Sequence, residues 1–276
     1  MPVDVDAVVL SNDRLSEDYN VVKLASPEIA VRYQPGQFVM VKRGLDTEPL
    51  LRRPFSVFEI LRDDEGPAVG FSLLNKRVGV VTNALFALEP GQRLQCLGPL
   101  GRPFSPVAAP SEAWMVAGGV GLAPFATLAE TLRRNNAPTT LFYGGRSASD
   151  LFYVDLFERL GVRVVLATED GSRGETGRIT IPVDRALASA SPKTEVMIYA
   201  CGPTAMMRVV TELAETHQRP AEVSLEPVMG CGLGGCYSCV VPVRTNGNAG
   251  TSHFVRSCLD GPVFAGNQVA WGELSQ

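Results

Sequence analysis

Several things are scarce in this sequence. It has two histidines in 276 residues, too few for a histidine-rich metal centre. Positive charge is not in excess: 25 Lys and Arg stand against 29 Asp and Glu, for a formal net charge of -4 and a pI near 5.4. Such a balance offers no basic face to a nucleic-acid backbone. No apolar run approaches the roughly 18 residues of a membrane span. The opening segment MPVDVDAVVLSNDRLSEDYN carries acidic residues where a secretory signal has a basic flank. There is no internal repeat, coiled-coil heptad or low-complexity tract. Neither nucleic acid nor membrane is therefore expected as a partner, and the chain is expected in the cytoplasm.

What is present is 45% apolar content over a length sufficient for two modest domains and an appendage. Up to about residue 105, β-branched runs at Asp6–Leu10, Tyr19–Leu24, Gln37–Val41, Ser56–Leu61, Ala68–Leu74 and Arg93–Leu97 alternate with Pro-Gly and Gly-Pro turns. That spacing predicts an antiparallel β-barrel or sandwich with one helix at Val80–Leu88. From about residue 111 the rhythm becomes strand, glycine turn, helix, which predicts a doubly wound α/β sheet. Its strands fall at Ala113–Ala117, Thr140–Tyr143, Val162–Ala167 and Glu195–Ala200, with a fifth at Ala221–Leu225; its helices at Phe125–Arg134, Asp150–Leu160, Pro182–Ala190 and Thr204–Glu215. After Glu226 the composition turns to glycine and cysteine, and only Val240–Arg244 and His253–Arg256 read as extended, around a TNGNAG turn. So small a segment needs a metal staple to hold its shape. The fold class is α+β multidomain.

Four of the six cysteines lie between Cys231 and Cys258. In a reducing compartment such clustering points to metal. Cys231, Cys236, Cys239 and a distant Cys258 give C-x4-C-x2-C…C, the plant-type spacing for a 2Fe-2S cluster, in which four thiolates hold two irons. Gly230 and the GLGG at 232–235 let the backbone curl with its N–H groups toward sulfur. A four-thiolate zinc site and a disulfide framework are the alternatives; the first usually shows two CxxC pairs, and the second has no need of this tight spacing. Cys96, inside a predicted barrel strand, reads as a small buried hydrophobe.

Two further elements suit nucleotides. LRRPFSV carries Arg53, Pro54, Phe55 and Ser56, where an arginine can neutralise a pyrophosphate and a serine can reach a flavin ring edge; a Pro-bounded edge strand is the plain alternative. VGVVT opens the predicted helix at Val80, and its N–H groups can face phosphate or simply be capped. In the α/β half, GGVGLAP (Gly118, Gly119, Val120, Gly121) lies where a strand-to-helix turn exposes amides to a pyrophosphate. Pro124 stands where the dinucleotide fingerprint has its third glycine. CGPTAMM (Cys201, Gly202, Pro203) follows the fourth strand at the same carboxyl edge, where Cys201 either touches a nicotinamide ring or packs.

The succession RPFS, GGVGLAP, FYGGR, TEDGSRGETG and CGP resembles the ferredoxin-NADP reductase superfamily, and MGCGLGGCYSCVV with RSCLDGPVF resembles the electron-transfer subunit of class 1B dihydroorotate dehydrogenase. The resemblance implies an FAD-binding barrel over 1–105, a nicotinamide-binding α/β domain over 106–225 and a 2Fe-2S subdomain over 226–276. It implies that Arg53, Pro54, Phe55, Ser56, Leu74, Asn75, Lys76, Val81 and Thr82 bind FAD, and that Gly118, Gly119, Gly121, Cys201, Gly202 and Pro203 bind NAD. Cys231, Cys236, Cys239 and Cys258 would ligate the cluster. Electrons would pass from the FMN of a catalytic dihydroorotate dehydrogenase subunit through the cluster and FAD to NAD+, in pyrimidine biosynthesis, within a heterotetramer of two subunits of each kind.

Val81 departs from the family's glycine before the threonine, and Leu74-Asn75-Lys76 keeps only the charge of an aromatic-arginine pair. At the end of the second α/β strand, FYGGRSASD has no acidic residue for a ribose, and Arg146 there can accept a 2′-phosphate; the resemblance favours NAD. Sulfide dehydrogenases, hydrogenases and transhydrogenases use reductase subunits of the same modules, and a non-enzymatic zinc-stapled binding module is the reading from another class.

Overall fold

The β-branched runs and their turns do fold into strands. A computed structural model describes residues 1–44, 50–64, 66–245 and 251–274. The chain divides into two units: Met1–Pro103 with Glu226–Val240 and Arg256–Pro262, and Phe104–Leu225 with Val241–Val255 and Val263–Gln276.

The first unit holds β1 (Val3–Arg14), β2 (Tyr19–Ala25), α1 (Pro27–Ala30), β3 (Phe38–Lys42), β4 (Arg53–Ser56), β5 (Ile60–Arg62), β6 (Ala68–Lys76), α2 (Val80–Phe86) and β7 (Arg93–Leu100). Alternation sets the faces: along β7, Leu94, Cys96 and Leu100 point inward while Arg93 and Gln95 point outward. Cys96 is fully buried as its neighbours predict, and burial pushes its thiol far above the ordinary range. The strand order is β4-β3-β7-β1-β2-β6-β5, antiparallel throughout. Strands β4 and β5 stand at opposite ends of that order, yet only Val57, Phe58 and Glu59 separate them in sequence. Phe58 N–H donates to the Ser72 carbonyl at 2.8 Å, and Ser72 N–H to the Glu59 carbonyl at 2.9 Å. The sheet therefore curls until its ends meet, and the single strand expected at Ser56–Leu61 is two strands joined by this crossing.

Helix α2 is tied to the sheet by an asparagine relay. Asn75 Nδ2 donates to Asn20 Oδ1 at 2.7 Å and to the Thr82 carbonyl at 3.0 Å. Asn20 Nδ2 donates to Asn12 Oδ1 at 2.6 Å. Asn12 Nδ2 then faces the carbonyls of Leu85, Phe86 and Leu88, at the C-terminal end of the helix, where carbonyls run short of intrahelical partners.

The second unit holds β8 (Glu112–Gly118), α3 (Phe125–Arg134), β9 (Thr139–Gly145), α4 (Val154–Arg159), β10 (Arg163–Thr168), β11 (Glu175–Thr176), α5 (Thr180–Ser189), β12 (Val196–Cys201), α6 (Thr204–Thr216) and β13 (Ala221–Ser224). In the tail come β14 (Val240–Arg244), β15 (Ser252–Arg256), α7 (Ser257–Asp260) and β16 (Val263–Ala265); most of the TNGNAG turn lies outside the described residues. The order β11-β10-β9-β8-β12-β13-β16 is that of a doubly wound parallel sheet, with β16 added antiparallel to β13. Helix α4 starts later than the expected Asp150. Asp150 Oδ2 accepts from Arg146 N–H at 3.1 Å, and Tyr143 Oη donates to the Asp150 carbonyl at 2.9 Å, holding Ala148–Asp150 as a separate tight turn.

The tail is shared out. Its cysteine-bearing pieces belong to the first unit, whereas Val241, Val243, Phe264, Val269 and Trp271 join the core of the second with Val210, Val223 and Leu225. Among the described residues no helix is long and apolar enough to cross a membrane.

Asn20 is fully buried and both its amide groups are engaged. Asn20→Ala is expected to cost about 2 kcal/mol through the partners it strands, read as a lower urea midpoint for the barrel.

Candidate functional site

The four tail cysteines come together in the first unit, and none of the chain's six is disulfide-bonded. Cys236 is exposed, Cys231 half-buried, and Cys239 and Cys258 buried. Cys231 and Cys236 act on one another electrostatically, as do Cys239 and Cys258. Four thiols, three on the loop between β13 and β14 and one on α7, supply the donor set of two irons.

The backbone turns a donor toward this sulfur. Leu233 N–H donates to Cys231 Sγ at 3.3 Å. The N–H groups of Ser238 and Cys231 face Cys236, and that of Gly234 faces Cys258. Electrostatics split the pairs: the Ser238 hydroxyl and N–H, then Cys231, lower the Cys236 thiol to about 6, whereas burial and then Cys239 raise Cys258 to about 12. Iron binding would deprotonate each coordinating thiol outright.

Glycine makes the curl feasible at two points. Gly232 (φ +73°) sits where a Cβ would lie 2.6 Å from Met40 Cγ, and Gly234 (φ +80°) where it would lie 2.5 Å from Leu259 Cδ1. The loop thus presses on the barrel, and Met229, Cys239 and Cys258 join an apolar cluster with Phe38, Met40 and Leu100. Arg256 fastens the other side: its Nη1 donates to the Gly234 carbonyl at 2.9 Å and its guanidinium covers the Tyr237 ring at 4.8 Å.

In the second unit the glycine turn and the CGP turn leave neighbouring parallel strands, Ala117 opposite Cys201. They pack as backbone on backbone. A Cβ on Gly121 would lie 2.3 Å from the Cys201 carbonyl oxygen, and one on Gly202 would lie 2.9 Å from Gly118 N. Gly118 similarly faces Pro203 and Met206, while Gly119 takes φ +53°. The structure thus brings Gly118, Gly119, Gly121, Cys201, Gly202 and Pro203 to one carboxyl edge, where open α/β sheets bind ligands. Cys201 itself is fully buried. Arg146, at the end of β9, is exposed.

Arg53, Pro54, Phe55 and Ser56 form β4, half-buried and paired with β3 at the end of the strand order. Arg53 Nη1 donates to the Leu51 and Arg52 carbonyls. Leu74 and Asn75 are buried in β6, and Lys76 lies over the Tyr19 ring at 4.8 Å. Thr82 Oγ1 accepts from the N–H groups of Val78 and Gly79 at 2.8 and 2.9 Å and so caps α2, with Val81 buried beneath.

Residues 6–104 match the oxidoreductase FAD-binding domain family, 115–212 the oxidoreductase NAD-binding domain family, and 226–270 the iron-sulfur cluster binding domain of dihydroorotate dehydrogenase B. Over 266 residues the chain is 35% identical to the "Dihydroorotate dehydrogenase B (NAD(+)), electron transfer subunit" of Desulforamulus reducens, covering 96% of this chain and 98% of that one. The chain belongs to this family. Its relative in Bacillus caldolyticus, under the same name, is 37% identical over 86% of both chains. Among solved structures, an NADH-dependent reduced ferredoxin-NADP oxidoreductase is similar with a TM-score of 0.83 at 28% identity, covering 98% of this chain and 91% of that one. The ferredoxin reductase of carbazole 1,9a-dioxygenase follows at TM-score 0.64 and 25% identity, covering 79% and 65%.

The chain accordingly carries FAD-binding, NAD-binding and iron-sulfur cluster binding domains. Sequence reasoning missed Ser238, Arg256 and the asparagines at 12 and 20. A hydroxyl between two cysteines was a readable signal for the first; the others are joined to their partners only by long-range folding.

Gly121→Ala is expected to force the two turns of the second unit apart. NAD(H) affinity should fall at least tenfold by fluorescence titration while flavin and iron content stay native.

Proposed function

We propose that this chain takes electrons from the flavin of a catalytic dihydroorotate dehydrogenase subunit and delivers them to NAD+, serving pyrimidine biosynthesis. In this reading Cys231, Cys236, Cys239 and Cys258 hold a 2Fe-2S cluster, the barrel elements Arg53–Ser56, Leu74–Lys76 and Val81–Thr82 hold FAD, and the paired turns at Gly118–Gly121 and Cys201–Pro203 hold NAD. When bound, the flavin supplies exchange between single electrons and a hydride pair, which neither the cluster nor nicotinamide provides alone. The observation that carries the reading is the gathering of four thiols in the barrel unit, three on one loop and one on α7, with the Leu233 N–H already donating to Cys231 Sγ.

The chain's own residues bind and orient. Arg53 brings positive charge to an edge strand, Thr82 fixes the turn that opens α2, and Gly121 and Gly202 let two loops approach closely enough to present backbone groups to one dinucleotide. Leu233 and Tyr237, exposed beside Cys236, give the partner an apolar rim near the cluster. The assembly is a heterotetramer with two copies of each subunit. NAD is the coenzyme, with Arg146 a solvated loop residue.

Cys236→Ser tests the relay. Iron content and the visible and EPR signals of the cluster should be lost, together with dihydroorotate-driven NAD+ reduction, whereas NADH oxidation by a small artificial acceptor at the flavin should persist. Unchanged dihydroorotate-driven turnover in an iron-free variant sinks the reading, and zinc in the native chain replaces it with a structural one. Steady-state rates should favour NADH over NADPH by at least tenfold; the reverse preference assigns Arg146 to a 2′-phosphate.

A further inference from the structure

We propose that Ser238 is a positioning residue that sets how readily the cluster accepts an electron, by donating its hydroxyl proton to Cys236 Sγ. The proposal rests on Cys236 being a cluster ligand. Ser238 Oγ lies 3.1 Å from that sulfur and 2.8 Å from the backbone nitrogen of Gly230. A backbone N–H can only donate, so Gly230 occupies one of the two lone pairs of the hydroxyl, and a cluster-ligating Cys236 is a thiolate with no proton to give. The single hydroxyl proton is thereby left for the sulfur.

The arrangement is built rather than incidental. Ser238 stands between two cysteines, one of them buried Cys239, so its backbone has little freedom once both are engaged. Tyr237 turns the chain with φ 58°, and Arg256 holds that turn through the tyrosine ring and the Gly234 carbonyl. On the far side, a Cβ at Gly230 would lie 3.1 Å from Cys236 Sγ and 3.2 Å from Ser238 Oγ. Any side chain there would crowd both atoms of the contact.

Reduction adds one electron to the cluster and no proton moves; the hydroxyl keeps its hydrogen throughout. The extra negative charge is spread over iron and sulfur, so a donor aimed at a ligand sulfur stabilises the reduced state more than the oxidised one and raises the potential. Unlike the amide donors around it, this one can be removed by a side-chain substitution.

The experiment is an EPR-monitored redox titration of the iron-loaded full chain in native, Ser238→Ala and Ser238→Thr forms. With full iron, the alanine variant should show reduction weakened about tenfold, a shift of about 59 mV downward for one electron. The FAD potential should not move, and threonine should restore the native value. An alanine variant with full iron and a native potential overturns the proposal, as does an equal shift in alanine and threonine. If the alanine variant holds no iron, Ser238→Gly is read in its place; loss of iron in both makes the hydroxyl a folding contact and the proposal fails. A native chain without iron would instead sink the cluster reading itself.

Discussion

A loop that turns its amides inward toward sulfur has little apolar surface to bury and no regular secondary structure to stiffen it. What holds it is contact with the barrel. Gly232 meets Met40 so closely that no side chain fits between them, and Met229, Cys239 and Cys258 fill out an apolar cluster with Phe38 and Leu100. Cys239 and Cys258 are anchored in that cluster against the barrel, while Cys236 is exposed and Cys231 half-buried. That division gives the four sulfurs unlike surroundings, one side dry and one side wet, from a single packing contact.

The nucleotide-binding unit solves a related problem with the same residue type. Two turns leaving adjacent parallel strands can present their backbones jointly only if nothing projects between them. Gly118, Gly121 and Gly202 meet that condition. Gly121 and Gly202 serve close approach to backbone atoms of the opposite turn, Gly202 at φ +149°, whereas Gly118 makes room for the Pro203 ring and the Met206 side chain.

Much of this was legible in the sequence because the signals were local. Helix Phe125–Arg134 and strands such as Tyr19–Ala25 follow from periodicity and turn residues within a short window, and the cysteine spacing is itself the cluster's signature. Where the structure departs, a long-range contact has intervened. The break at Val57–Glu59 comes from Ser72, and the late start of α4 from Tyr143. The asparagine relay spans three strands, so no window of sequence could display it. Asn75 illustrates the difference: by position it stands among the residues expected at the flavin, and its amide nitrogen is directed to Asn20 and to the first turn of α2.

The tail beyond Glu226 alternates between the units, giving its cysteines to one and its apolar residues to the other. Strand β16 closes the open edge of β13, and Trp271 is sealed into the same core. Cutting the chain after Glu226 would therefore strip apolar side chains from one core as well as thiols from the other unit, and leave β13 with a bare edge.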